Sequence, residues 1–245
     1  MAPIIIENKM KQYQQFKDNK VHNGLFSLMT WFSPSYPIGS FAYSHGLEYA
    51  VEAGIVTNTG DLKNWLYDFL HFGTCYNDSI FISNSYDATE KNDLIFFNEV
   101  AAMSKAFKSS SEISLESEQQ GISFYQVTSV TLSSKKFESL INGIKKNISY
   151  PVVVGCAGSI KTIRKIDLID AYLHSFISNI LSASLRIMPL GQTEAQCILS
   201  SLEKEINLIS INALSKTISD LGSSVFMGDW ASANHEGQYT RLFRS

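Results

Sequence analysis

The feature that most constrains this chain is the spacing of its apolar residues. In DLKNWLYDFLHF, residues 61–72, Leu62, Trp65, Leu66, Phe69 and Leu70 fall at i, i+3, i+4, i+7 and i+8, the period of an amphipathic helix. Thr59 is available there as N-cap and Asp61 sits in the first turn. Residues 167–188, DLIDAYLHSFISNILSASLRIM, repeat the pattern, starting at an Asp that can cap the first amides and stopping just before Pro189. Similar patterns cover residues 22–32, 39–53, 74–88, 93–108, 112–132, 135–147, 151–163 and 211–221, and no strand alternation competes with them. Of only five prolines, Pro34, Pro37 and Pro189 lie where a helical pattern is already interrupted. The expectation is an all-α chain: a single compact helical domain of roughly ten helices over residues 21–221. A disordered lead is expected over residues 1–20, and a flexible, aperiodic tail over residues 222–245.

Composition narrows the partners. The chain has 245 residues and a formal net charge of −3, so no broad field favours nucleic acid or an anionic membrane. Its three cysteines, Cys75, Cys156 and Cys197, form no C-x-x-C pair, which argues against a disulfide framework or a zinc finger and suits a reducing cytoplasm. The first residues hold too short an apolar run for a signal-peptide core, and PVVVGCAG, residues 151–158, is less than half a membrane span.

The motif that invites a chemical reading is SPSYPIGSFAYSHG, residues 33–46. AYSHG could be an Ala-for-Gly variant of the G-x-S-x-G nucleophile elbow, with Ser44 as nucleophile and Asp229 and His235 following in hydrolase order. An elbow needs a buried strand leading into it, and here Pro34 and Pro37 cannot donate ladder hydrogen bonds. The other reading is a helix from Ser40, with Phe41, His45, Glu48 and Glu52 on a solvated face and Tyr43, Leu47 and Ala50 opposite. Gly54 then fits the position that ends the helix in a left-handed conformation.

Two pairs at helical spacing, His45/Glu48 and His71/Cys75, could each offer two metal ligands, but neither has neighbours in sequence to complete a set of three or four, so no metal site is assigned. Residues 155–161 lack the Lys-after-Gly of a P-loop, and the Gly/Ala/Ser run there reads as a seam where another backbone approaches closely. Thr193-Glu194-Ala195-Gln196 has the form of a capping box, which gives Thr193 and its neighbour Gln192 a structural role. Arg186, late in its helix, complements the helix dipole, and His174 has an equally plain reading as an isolated polar residue.

The stretch SPSYPIGSFAYSHGLEYAVEAGIV resembles the signature of the UreF family of urease accessory proteins, and the resemblance continues in order through ESEQQG (116–121), YPVVVGCAGS (150–159), AYLHSFISNILSASLRIMPLGQTEAQ (171–196) and DLGSSVFMGDWASANHEGQYTRLFRS (220–245). It departs from the family at Ser114, where Arg is common, and at Ser40, where Ala is usual; residues 1–20 have no counterpart.

The resemblance implies an all-helical, non-enzymatic homodimeric scaffold in urease maturation. Such a protein binds UreD (also called UreH) and recruits the GTPase UreG, which carries nickel to the urease apoenzyme. No cofactor is expected to be bound tightly, nickel being cargo that passes through the complex. Neither nucleic acid nor membrane is an expected partner. Within this frame His235, Tyr239, Arg241 and Phe243 belong to a tail that orders when UreD binds, and Arg241 is the expected UreG-facing anchor. Pro37, Gly39 and Gly46 shape the turn, while Tyr43, His45, Glu48, Arg186 and Gln192 belong to the partner-binding set. The competing readings are a serine hydrolase using Ser44 and a generic helical interaction protein.

Overall fold

A computed structural model describes residues 24–245. The lead expected over residues 1–20 lies outside the described residues. Among the described residues there is no strand, and the α-helices are α1 (Leu25–Trp31), α2 (Leu47–Glu52), α3 (Thr59–Phe72), α4 (Thr74–Lys91), α5 (Leu94–Ala106), α6 (Ser111–Leu132), α7 (Lys135–Gly143), α8 (Tyr150–Ile160), α9 (Lys165–Ile187), α10 (Gln192–Ser201), α11 (Glu203–Ala213) and α12 (Phe226–His235). The all-α expectation holds.

Two helices form the centre. α8 is buried without interruption from Tyr150 to Gly158, which is why its sequence is apolar all round rather than on one stripe. α4 lies against it and is buried over most of its length with small polar residues such as Ser79, Ser83, Ser85 and Thr89 on its surface. The seam expected around Gly155 is real: a Cβ there would lie 2.1 Å from Ser85 Oγ and 2.5 Å from the Ile82 carbonyl oxygen, so only glycine admits α4. α3 turns its Leu62–Trp65–Leu66–Phe69–Leu70 stripe inward, as its period predicts.

Several local expectations are corrected. The cap of α3 is Asn58, not Thr59; its side chain accepts from the Gly60 and Asp61 amides at 2.8 and 3.0 Å. α9 starts at Lys165, and Asp167 lies in its first turn, paired with Arg164 at 2.6 Å. The Thr193 capping box does not form. α10 starts two residues earlier, behind Gly191, whose amide donates to Glu194 at 2.9 Å, and Gln192 and Thr193 are exposed. The helix expected over residues 211–221 is α11, displaced toward the N-terminus, followed by a short 3-10 turn at Ile218–Asp220. His71 and Cys75 share no helix face, because Gly73 separates α3 from α4; Cys75 is fully buried and His71 pairs with Glu205 at 2.9 Å.

The largest corrections concern residues 39–53 and 222–245. A single helix from Ser40 does not form. A 3-10 turn, Ser40–Ala42, gives way to extended backbone at Tyr43 (φ −125°, ψ 135°), then to left-handed His45 (φ 56°) and Gly46 (φ 78°), and only then to α2. Residues 222–245 are not aperiodic: they contain α12, and their end is pinned to the 42–44 segment. The two departures have one cause. The Ser44 amide donates to the Ser245 main-chain oxygen at 2.7 Å and the Arg244 amide to the Ala42 carbonyl at 2.8 Å, and a continuous helix over 39–53 would use those groups internally. Gly54 (φ 71°) takes the left-handed conformation expected of it, and Gly39 (φ 75°), expected to shape the turn after Pro37, is left-handed as well.

Candidate functional site

The pinned chain end closes over a buried cluster of carboxylates and histidines. α2 supplies Glu48, α6 supplies Glu112 and Glu116 one turn apart on its inward face, α12 supplies His235, and the left-handed turn before α2 supplies His45. Glu48 is the hub. Its two oxygens accept the Leu242 and Phe243 amides at 2.7 and 3.0 Å and His235 Nε2 at 3.1 Å. The other nitrogen of His235 reaches Glu112 at 2.7 Å, so both ring nitrogens face carboxylate oxygens. Arg241 donates to the second oxygen of Glu112.

Glu116 organises the other half. It faces His45 Nδ1 at 3.3 Å, accepts the Ser245 hydroxyl at 2.6 Å, and accepts the Gln120 amide at 3.1 Å. His45 Nε2 meets the Thr74 hydroxyl at 3.0 Å, and its ring lies edge-on between Phe69 and Phe176. Gly46 is required beside it: its φ is 78° and a Cβ would lie 2.9 Å from the Ser232 amide nitrogen of α12. α12 is held further by Ser110–Ser232 at 2.7 Å and by Trp230 set edge-on to Tyr49.

Burial corrects the exposed reading of this motif. His45 is 2% and Glu48 9% accessible, so neither lies on a solvated face, whereas Tyr43 and Leu47 pack inward and Phe41 is exposed as expected. Burial, with Glu116 adding, pushes the Tyr43 hydroxyl above its ordinary range and keeps it neutral. Of the tail residues, His235 and Phe243 are occupied within the chain itself. Phe243 is buried under Arg186, whose guanidinium stands 4.3 Å from the ring centre and donates to the Phe41 carbonyl at 2.9 Å. Arg186 therefore anchors the chain end as well as ending its helix. Tyr239 stands fully in solvent, and Leu242, Phe226 and part of Trp230 share that exposure.

The arrangement gives Ser44 no base. Its hydroxyl donates to the Ser245 main-chain oxygen at 2.6 Å and accepts the Glu48 amide at 3.2 Å, while both nitrogens of His235 are engaged by glutamates and the Asp229 carboxylate accepts from Ser223. The proposed Ser44–His235–Asp229 constellation is not assembled. Nor do the carboxylates converge on a point: each bonds a donor of the chain, and among the described residues no group of three or more His, Cys, Asp or Glu is placed to hold a metal ion. His174 lies elsewhere, on the wall of a groove of about 760 Å³ with Asp170, Glu203, Lys204 and Asn207, which shares no residue with the cluster. No described helix is long and apolar enough to cross a membrane.

Reading by sequence missed Glu112 and Glu116 as members of the site. Their spacing, four apart in SEISLESEQQ, put both on one helix face, but only the fold sets that face against His45 and His235.

The family model described as UreF matches residues 56–203. That span contains Glu112 and Glu116, while Glu48 and His235 lie outside it. Curated relatives extend the likeness. The urease accessory protein UreF of Bradyrhizobium sp. (strain BTAi1) is 40% identical over 224 residues, covering 91% of this chain and 93% of the relative. Those of Bradyrhizobium diazoefficiens and Rhodopseudomonas palustris (strain HaA2) are 39% and 38% identical over 221 residues, covering 90% of this chain and 91% and 93% of the relatives.

Proposed function

The chain belongs to the UreF family of urease accessory proteins, and from that premise we propose that it is a non-enzymatic scaffold for urease maturation. In this reading it works in the cytoplasm as a homodimer, binds UreD/UreH, and recruits the GTPase UreG so that nickel, as cargo, reaches the urease apoenzyme. The observation that carries the reading is the division of labour in residues 226–243. The His235 and Arg241 side chains and the Leu242 and Phe243 amides are bound internally by Glu48 and Glu112, while Phe226, Tyr239 and Leu242 are turned outward: Phe226 and Leu242 are 75% and 61% accessible and Tyr239 is fully so. A chain that spends Glu48 and Glu112 on fixing a segment, yet leaves Phe226 and Tyr239 in water, is presenting that segment to a partner.

Tyr239 and Leu242 are then the contacts, with Arg241, about a third exposed beyond its pair with Glu112, beside them. Co-purification of the chain with UreD and UreG, with urease activation as the downstream readout, tests the proposal. Tyr239→Ala removes a fully exposed side chain with no hydrogen-bond partner among the described residues, so it leaves stability unchanged and is expected to weaken capture of UreD or UreG at least tenfold. Full capture and activation by a Tyr239→Ala, Leu242→Ala double variant would overturn the assignment of this surface.

A further inference from the structure

Between the carboxylate–histidine cluster and the centre of the bundle lies a void of about 20 Å³, walled by His45, Thr74, Glu116, Gln120, Lys108 and Tyr150 among others. Most of these groups are provided for. Lys108 pairs with Asp78 at 2.7 Å with both side chains buried, and Tyr172 donates to the other oxygen of Asp78 at 2.6 Å. Tyr150 is the exception: it is 7% accessible, and its hydroxyl has no hydrogen-bond partner among the described residues. Burial pushes that hydroxyl far above its ordinary range, so it is a neutral group owed a bond.

We propose that this void is a binding site for one ordered water molecule, which satisfies Tyr150 and joins the His45–Glu116 cluster to the Asp78–Lys108–Tyr172 group. The size is right for a single water, which needs about 10–15 Å³ of such space and two to four polar partners. The chemistry selects a neutral ligand over a cation. The Lys108 ammonium is on the wall with three hydrogens and only Asp78 as acceptor, so it repels a positive ion and welcomes an oxygen. The lone carboxylate pair nearest the void is already committed, Asp78 to Lys108 and Tyr172, Glu116 to His45, Ser245 and Gln120. The water thus ties the left-handed His45 turn on one side to α4, α8 and α9 on the other.

Two measurements on the full-length chain test this. In a high-resolution crystal structure, grown with nickel(II) present and measured at the nickel edge, one peak without anomalous signal is expected within hydrogen-bond distance of Tyr150 Oη and of at least one other wall residue. Tyr150→Phe is expected to lose that peak and to lower the thermal midpoint by about 2–4 °C, because the water loses a partner. A midpoint that is unchanged or higher would mean that the hydroxyl is truly unpartnered in the folded protein and would overturn the proposal. So would a void without a peak, or a peak that scatters as nickel.

Discussion

Replacing Glu48 with Gln separates a fold whose residues 241–245 are held by one carboxylate from one in which they merely rest on the surface. Glu48 offers one oxygen to the Leu242 amide and the other to the Phe243 amide and His235. An amide side chain keeps a single acceptor. Oriented to save the Phe243 and His235 bonds, it sets an NH2 against the Leu242 N–H; oriented the other way, it loses two bonds instead of one. Losing one part-buried, charge-assisted bond and setting a second donor against the Leu242 N–H costs about 2–3 kcal/mol. Residues 241–245 lie in no helix and can relieve that cost by undocking, so the loss falls on local opening and not on the core.

A change of about 2–3 kcal/mol raises the opening constant roughly 30- to 150-fold. Amide hydrogen exchange reads this directly: Leu242, Phe243 and Ser44 should exchange faster by that factor in Glu48→Gln, while Val152–Ala157 of α8 stay as protected as in the parent. Glu138→Gln, on the exposed side of α7, serves as the control and should change nothing. An acceleration below about threefold at Leu242 and Phe243 would refute the view that Glu48 holds the end, on the same arithmetic.

Other substitutions test other levels of the structure. Gly155→Ala drives a methyl into Ser85 and the Ile82 carbonyl and is expected to cost about 3 kcal/mol in urea denaturation, whereas Gly143→Ala, with nothing within 4 Å, should be neutral or stabilising. Ser44→Ala removes the bond to Ser245 and the acceptor of the Glu48 amide, so it should lower stability by about 1–2 kcal/mol. It should leave background ester hydrolysis unchanged, and a fall of orders of magnitude in such an activity would revive the nucleophile reading. A thiol reagent at neutral pH should modify Cys197, which is exposed, and spare the buried Cys75 and Cys156 until denaturant is added. Burial raises the Cys156 thiol from 9.0 to about 12, so the folded chain keeps a proton that the unfolded chain releases. Stability from this group is therefore complete below about pH 9 and falls by about 1.4 kcal/mol per unit as pH climbs toward 12, a slope that Cys156→Ala should make shallower.

How much of this was legible in the chain depends on the range of the interaction. α3, α6 and α9 follow from apolar period alone, because a helix buries one stripe and that stripe is written at i, i+3 and i+4. Gly155 as a close approach and Gly54 as a helix stop were equally local, since each depends on what glycine lacks. Caps were less secure. Asn58 and Thr59 are both good candidates, and the choice between them turns on a hydrogen bond that neighbouring residues do not dictate.

The motif around His45 shows where local reasoning ends. By itself SFAYSHGLEYAVE has helical spacing, and a solvated His–Glu face is what that spacing predicts. The fold instead breaks the helix at Tyr43, turns His45 left-handed, and buries Glu48, because residues 241–245, about two hundred positions away, bring main-chain groups that need acceptors and donors there. The sequence by itself determined that this chain is helical, which stripes face inward, and which family it resembles, since those are set by side-chain size, polarity and spacing within a few turns. Only the tertiary structure decided that the serine and histidine of the motif are a clasp for the chain end and not an exposed pair, because the hydrogen bonds that make the clasp close between segments no local period connects.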